Sequence, residues 1–99
     1  MSDAPLRYIA VIKLRPDITV EQRDAQLAKL DEVMARGPYS YRLARDLGLQ
    51  PGTADYALII DFESPRQLAD WNAPSAEHAE MKRIAGATAE QVLVLSHVL

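Results

Sequence analysis

The sequence predicts an α+β domain of order βαββαβ, with a four-stranded antiparallel sheet and its helices on one face. Three observations carry that expectation. Two short apolar runs, Leu6–Leu14 and Tyr56–Phe62, are rich in β-branched and aromatic residues and bounded by turn signals. Each leads through a polar turn, Arg15-Pro16-Asp17 or Glu63-Ser64-Pro65, into a helical pattern. The chain has only 99 residues, so it can hold one modest core.

In the first strand Tyr8, Ala10, Ile12 and Leu14 share one face, and Ile9, Val11 and Lys13 the other. Both faces are largely apolar, as in a central strand. Thr19 is a good N-cap for the next segment, and Gln22 completes a capping box. The helix should run over 18–34 and stop at Gly37-Pro38. Val20, Leu27, Leu30 and Met34, with Val33 beside them, form its apolar stripe. Arg23, Gln26, Lys29 and Glu32 are expected outside that stripe. Residues 39–47 alternate Tyr39, Tyr41, Leu43 against Ser40, Arg42, Ala44, which suits an edge strand. A loop over 48–53 follows.

The third strand places Tyr56, Leu58, Ile60 and Phe62 on one face, and Ala57, Ile59 and Asp61 on the other. Ser64 caps a short helix with Pro65 at its first position. Asn72-Ala73-Pro74 interrupts it, and Ser75 caps a second piece through Ile84. The last strand, 91–99, sets Val92, Val94 and Ser96 against Leu93, Leu95, His97 and Leu99. Right-handed crossovers then favour the ferredoxin-like arrangement with the first and third strands central. Residues 1–5 are expected to be a flexible terminus, and 6–99 a single domain.

The sheet face away from the helices carries Ile9, Val11, Ile59, Leu93 and Leu95. A soluble monomer rarely shows water so much contiguous apolar surface. A second copy packed sheet to sheet would cover it, so a homodimer is expected, with Asp61 and Lys13 as a candidate pair across the interface.

Composition narrows the function classes. The chain has no cysteine, which excludes disulfides, thiolate nucleophiles and Cys-ligated metals. Its net charge of −3 argues against a nucleic-acid partner. Its start lacks the basic and apolar regions of a signal peptide, and no run approaches the roughly 20 apolar residues of a membrane helix. The cytoplasm is the expected location, with no membrane partner. No metal or cofactor is expected, since no HxH, HExxH, carboxylate-rich loop or Gly-rich phosphate loop occurs.

Four segments taken together resemble the stress-responsive dimeric α/β-barrel (Dabb) family. They are 7–17 (RYIAVIKLRPD), 55–64 (DYALIIDFES), Asp70-Trp71 with Pro74 and His78, and 90–95 (EQVLVL). The resemblance spans about residues 6–97. It implies a ferredoxin-like subunit, a homodimer whose sheets close a barrel, and a small apolar cavity between sheet and helices. One plant branch of the family cyclises a polyketide-derived acid with a histidine and a tyrosine near the second helical segment and a further histidine on the first strand. His78 falls close to the family's histidine after the proline. Trp71 stands where that branch has its tyrosine, Tyr8 where a first-strand histidine is common, and Ala73 where histidine usually precedes Pro74.

The candidate site follows from strand alternation and the helix stripe. Tyr8, Ala10, Ile12, Leu27, Leu30, Leu58, Trp71, His78, Val92 and Val94 should line a cavity between sheet and helices. His78 is the candidate proton-transfer residue, because imidazole titrates near neutrality, and Tyr8 is its candidate hydroxyl partner. Each also has a plainer reading, His78 as a partly exposed helical residue, Tyr8 and Trp71 as core aromatics. The charges of Arg42, Arg45 and Asp46 suit either an anion site or protection of an edge strand, and more often the latter. His97 is expected at the subunit interface.

Three functions are open at this point. One is binding of a small apolar or aromatic molecule. Another is cofactor-free cyclase, decarboxylase or isomerase chemistry through His78. The third is a structural or stress-protective barrel without ligand. An open apolar cavity favours the first, convergence of His78 and Tyr8 on one point the second, and a filled cavity the third.

Overall fold

The computed structural model describes residues 4–73 and 76–99. The elements run β1 (Leu6–Leu14), α1 (Val20–Ala35), β2 (Ser40–Arg45), β3 (Tyr56–Phe62), α2 (Pro65–Asn72), α3 (Ala76–Gly86) and β4 (Ala89–Val98). The strands form one antiparallel sheet in the order β2-β3-β1-β4, so the two most apolar strands are central, as their sequences require. Of the expected flexible terminus, Met1, Ser2 and Asp3 lie outside the described residues, and the Pro5 carbonyl accepts the Leu99 N–H at 3.0 Å. Pro74 and the expected cap Ser75 also lie outside them.

Local signals set the helix ends. Thr19 Oγ1 accepts the Gln22 N–H at 3.1 Å, and Gln22 Oε1 accepts the Thr19 N–H at 2.8 Å, which completes the capping box. Ser64 Oγ accepts the Gln67 N–H at 3.2 Å, with Pro65 at the first turn of α2 where its missing N–H is harmless.

The core lies between the sheet and the helices. Ile12, Tyr56, Leu58, Ile60 and Phe62 pack from the sheet, and Leu27, Leu30, Val33 and Met34 from α1. Two expectations for α1 are corrected. Val20 is exposed, because it sits at the helix start before the packed turns. Gln26 is buried, only 6% exposed, one turn before Leu30 on the packed side. Helix α3 packs beside α1, and α2 packs against β3. Neither covers β4, so Val92 and Val94 remain 46% and 55% exposed on the helix side.

The register arranges the open sheet face in rows. Ile59–Ile9–Leu95 and Ala57–Val11–Leu93 are apolar, and a polar row Ser40–Asp61–Arg7–His97 borders them. Within the subunit Asp61 takes a different cation from the Lys13 expected across the interface. Lys13 pairs in register with Gln91 at the far end of the sheet, whereas Arg7 stands directly opposite Asp61. Arg7 Nε and Nη2 donate to the two Asp61 carboxylate oxygens at 2.7 and 3.0 Å. That bidentate pair holds the Asp61 carboxyl below the usual carboxylate range, chiefly through the hydrogen bond itself.

Candidate functional site

A half-open cavity of about 290 Å³ lies between the sheet and helices α1–α3. Its floor follows from strand alternation. Tyr8, Ala10 and Ile12 on β1 are flanked by Leu58 and Tyr56 on β3 and by Val94 and Val92 on β4. Ala10 sits mid-floor, where its small side chain leaves room. Leu30 of α1, Trp71 of α2 and His78 of α3 close the other side. All of the expected lining residues meet here except Leu27. Leu27 faces a separate depression with Asp24, Asp31 and Leu43, because it lies about a sixth of a turn round α1 from Leu30 toward β2.

Sequence reasoning missed the contribution of α3 beyond His78. Met81, Lys82, Ala85 and Gly86 border the cavity. The signal was the spacing 78, 81, 85, which places these residues on one helix face. It also left out Gln26, whose position four before Leu30 and seven before Val33 already marks the packed face.

The two ends of the cavity differ. At the first, aromatic rings cluster. Trp71 stacks on the His78 imidazole with ring centroids 4.4 Å apart, and Tyr8 meets Trp71 edge-on at 5.1 Å. His78 Nδ1 lies 2.9 Å from the Trp71 carbonyl oxygen. A carbonyl only accepts, so Nδ1 carries the hydrogen, and Nε2 is the nitrogen that can take up or return a proton. Burial pushes the Tyr8 hydroxyl's pKa upward. Trp71 Nε1 is buried with no acceptor among the described residues.

Tyr56 marks the second end, in the row of Ile12 and Val92. Ile12 lies four residue steps along the strand from Tyr8, about 13 Å of backbone at ~3.3 Å per residue. Burial raises the Tyr56 hydroxyl to about 12, partly offset by its hydrogen bond with Gln26. Gln26 Nε2 donates to Tyr56 Oη at 2.9 Å and to the Ile84 carbonyl at 3.0 Å, while the Thr88 hydroxyl donates to Gln26 Oε1.

The edge charges lie away from this cavity. Arg45 approaches Asp24 at 3.8 Å, and Asp46 accepts the Gly48 N–H and the Thr53 hydroxyl, which shapes the β2–β3 loop. His97 lies in the polar row of the open sheet face. Among the described residues no group of three or more His, Asp or Glu side chains could hold a metal ion. No helix among them is long and apolar enough to cross a membrane.

Solved structures share this architecture along the whole chain. A dimeric ferredoxin-like protein of unknown function from Thermobifida fusca superposes with a TM-score of 0.83 at 22% identity, over 99% of this chain and 93% of that one. The fold is ferredoxin-like. A Dabb family protein from Mesorhizobium loti matches with a TM-score of 0.79 at 12% identity, over 97% of each chain, in agreement with the sequence resemblance. A hydroxynitrile lyase from Passiflora edulis matches with a TM-score of 0.81 at 15% identity, over 99% of this chain and 95% of that one. No family model and no curated protein matches the sequence.

Proposed function

We propose that the protein is a cytoplasmic homodimer in which each subunit binds a small apolar or aromatic molecule in the cavity between sheet and helices. The cavity itself carries this reading. It is open, its walls are almost wholly aliphatic and aromatic, and a few polar groups stand at its two ends. Small-molecule sites have that composition. A barrel serving only as a scaffold would fill such a space with side chains, since interiors pack to crystal-like density.

The open sheet face supports the dimer. Leu93 and Leu95 are 60% and 61% exposed beside half-buried Ile9, Val11 and Ile59. Proteins of this fold from Thermobifida fusca and Bacteroides fragilis are described as dimeric. The occupant of this face is therefore a second copy of the chain.

Isothermal titration with a panel of small aromatic ketones, phenols and hydrocarbons tests the binding. At least one class should bind saturably, once per subunit. Ala10→Leu, which fills the mid-floor, should weaken that binding at least tenfold while the protein stays folded. No binding by any class, or equal binding by the variant, would overturn the reading.

A second reading is favoured by His78. Its Nδ1–H is committed to the Trp71 carbonyl, which orients Nε2 as a proton-transfer atom on a cavity that Tyr8 also lines. One protein of this fold is a hydroxynitrile lyase, so the scaffold accommodates chemistry on small molecules. Under this reading the chain is a cofactor-free cyclase, decarboxylase or isomerase.

A further inference from the structure

We infer that the cavity takes a molecule whose apolar body carries a carbonyl-type oxygen, that the Tyr56 hydroxyl donates to this oxygen, and that Gln26 is the positioning residue that keeps the hydroxyl a donor. The inference rests on the binding reading of the cavity and adds the chemical class of the ligand.

Ile84 fixes the orientation of the Gln26 amide. Its backbone oxygen can only accept, so the Gln26 atom 3.0 Å away is the amide nitrogen. An amide nitrogen only donates, so Tyr56 Oη, 2.9 Å from it, is the acceptor of that bond. The Thr88 hydroxyl on Gln26 Oε1 fits the same orientation. Both amide hydrogens are thus committed, and the Tyr56 hydrogen is turned away from Gln26. Among the described residues it meets no acceptor, although the ring is only 2% exposed.

A second observation points the same way. Trp71 lines the same cavity, and its indole N–H is buried and also lacks an acceptor among the described residues. Buried polar groups in native proteins are nearly all hydrogen-bonded, and the exceptions call for an explanation. Here both orphaned hydrogens belong to donors, on residues that line the two ends of one apolar space. What complements a donor in such walls is a ligand that brings acceptor oxygen and little else that is polar, with that oxygen at the Tyr56 end. Burial keeps the Tyr56 phenol neutral, with its pKa pushed up to about 12, so it remains a donor throughout the physiological range. A neutral ketone or aldehyde suits the apolar walls better than a carboxylate, whose charge would be costly to desolvate there.

Acetophenone and α-methylstyrene test this directly, because they differ only in C=O against C=CH₂. Binding to the dimer is followed by quenching of Trp71, the single tryptophan. The wild type should bind the ketone about tenfold tighter, the worth of one net hydrogen bond. Tyr56→Phe should bring the two probes within about twofold while α-methylstyrene still binds. Gln26→Glu keeps the Tyr56 hydroxyl but offers it a carboxylate acceptor, so it too should lose the ketone preference, which a merely structural role would not affect. A measurement without variants supports these. The carbonyl stretch of bound, carbonyl-labelled acetophenone should fall below its value in an alkane solvent. Equal binding of both probes by the wild type, an undiminished preference in Tyr56→Phe, or an alkane-like stretch would overturn the inference while leaving the cavity a binding site. Absence of saturable binding by either probe would overturn the inference too, and absence of binding by every class of the panel would overturn the binding reading as well.

Discussion

Gln26 Nε2 donates to Tyr56 Oη across 2.9 Å and thereby ties α1 to β3 at one end of the cavity. The same side chain reaches the Ile84 carbonyl in α3 and the Thr88 hydroxyl before β4. One buried amide thus joins α1 to β3 and to the end of α3 with the turn that follows it. Its three hydrogen bonds offset the cost of placing a polar group among apolar side chains.

Gln26→Ala should therefore be among the more destabilising single substitutions. It leaves the Ile84 carbonyl and the Thr88 hydroxyl without this partner and opens a void, for a loss of about 2–4 kcal/mol. Urea unfolding would measure it. A change below about 0.5 kcal/mol, the range of ordinary surface substitutions, would show that the network contributes little.

Alkaline pH provides a test of Tyr56. Its hydroxyl titrates near 10 when unfolded and near 12 in the fold. The folded state therefore holds its proton more tightly, and stability is fully present below pH 10 and lost as pH rises toward 12. With allowance for solvent, the loss is on the order of 1–2 kcal/mol. Tyr56→Phe should flatten that part of the stability profile, and an unchanged slope between pH 10 and 12 would contradict the assignment.

The open sheet face makes a separate prediction. Leu93 pairs in register with Val11 at the centre of the apolar rows. Leu93→Asp places an unpaired carboxylate in the proposed interface, which is strongly penalised. Sedimentation should show a dimer for the wild type and a monomer or unfolded chain for the variant. A folded wild-type monomer at micromolar concentration would refute the interface.

His78→Ala separates the two functional readings. It removes the imidazole that stacks on Trp71 and so should cost about 1 kcal/mol of stability. Under the enzymatic reading, turnover should also fall about 10²–10⁴-fold, and Tyr8→Phe should cost less because the ring packing is kept. Any activity that survives His78→Ala unchanged would remove His78 from the chemistry.

The parts of this architecture legible in the sequence are those set by short-range rules. The capping box at Thr19, Pro65 after Ser64, and the double-sided apolar pattern of β1 and β3 all depend on neighbours within a few residues. Strand alternation also placed Tyr8, Ala10 and Ile12 on the helix side. What escaped depended on partners distant in sequence. Gln26 has the spacing of a packed residue, yet its polar side chain reads as surface-type until Ile84 and Thr88 supply its hydrogen bonds. Asp61 takes Arg7 within the subunit because the register of β1 on β3 decides which cation stands opposite. Leu27 belongs to the helix stripe, yet it points toward β2, and only the position of α1 on the sheet reveals that. The opening beside Val92 and Val94 depends on α2 packing against β3 and α3 beside α1, which no local pattern encodes.

The claim that the cavity is a binding site is tested most directly by methyl-resolved NMR titration of the protein with acetophenone. Saturable shifts should appear at Leu30, Leu58, Val92 and Val94, which border the cavity. Leu27, in its separate depression, and Leu93 and Leu95, on the opposite sheet face, should stay unmoved. Shifts centred on Val11, Leu93 and Leu95, or none that saturate, would contradict the account.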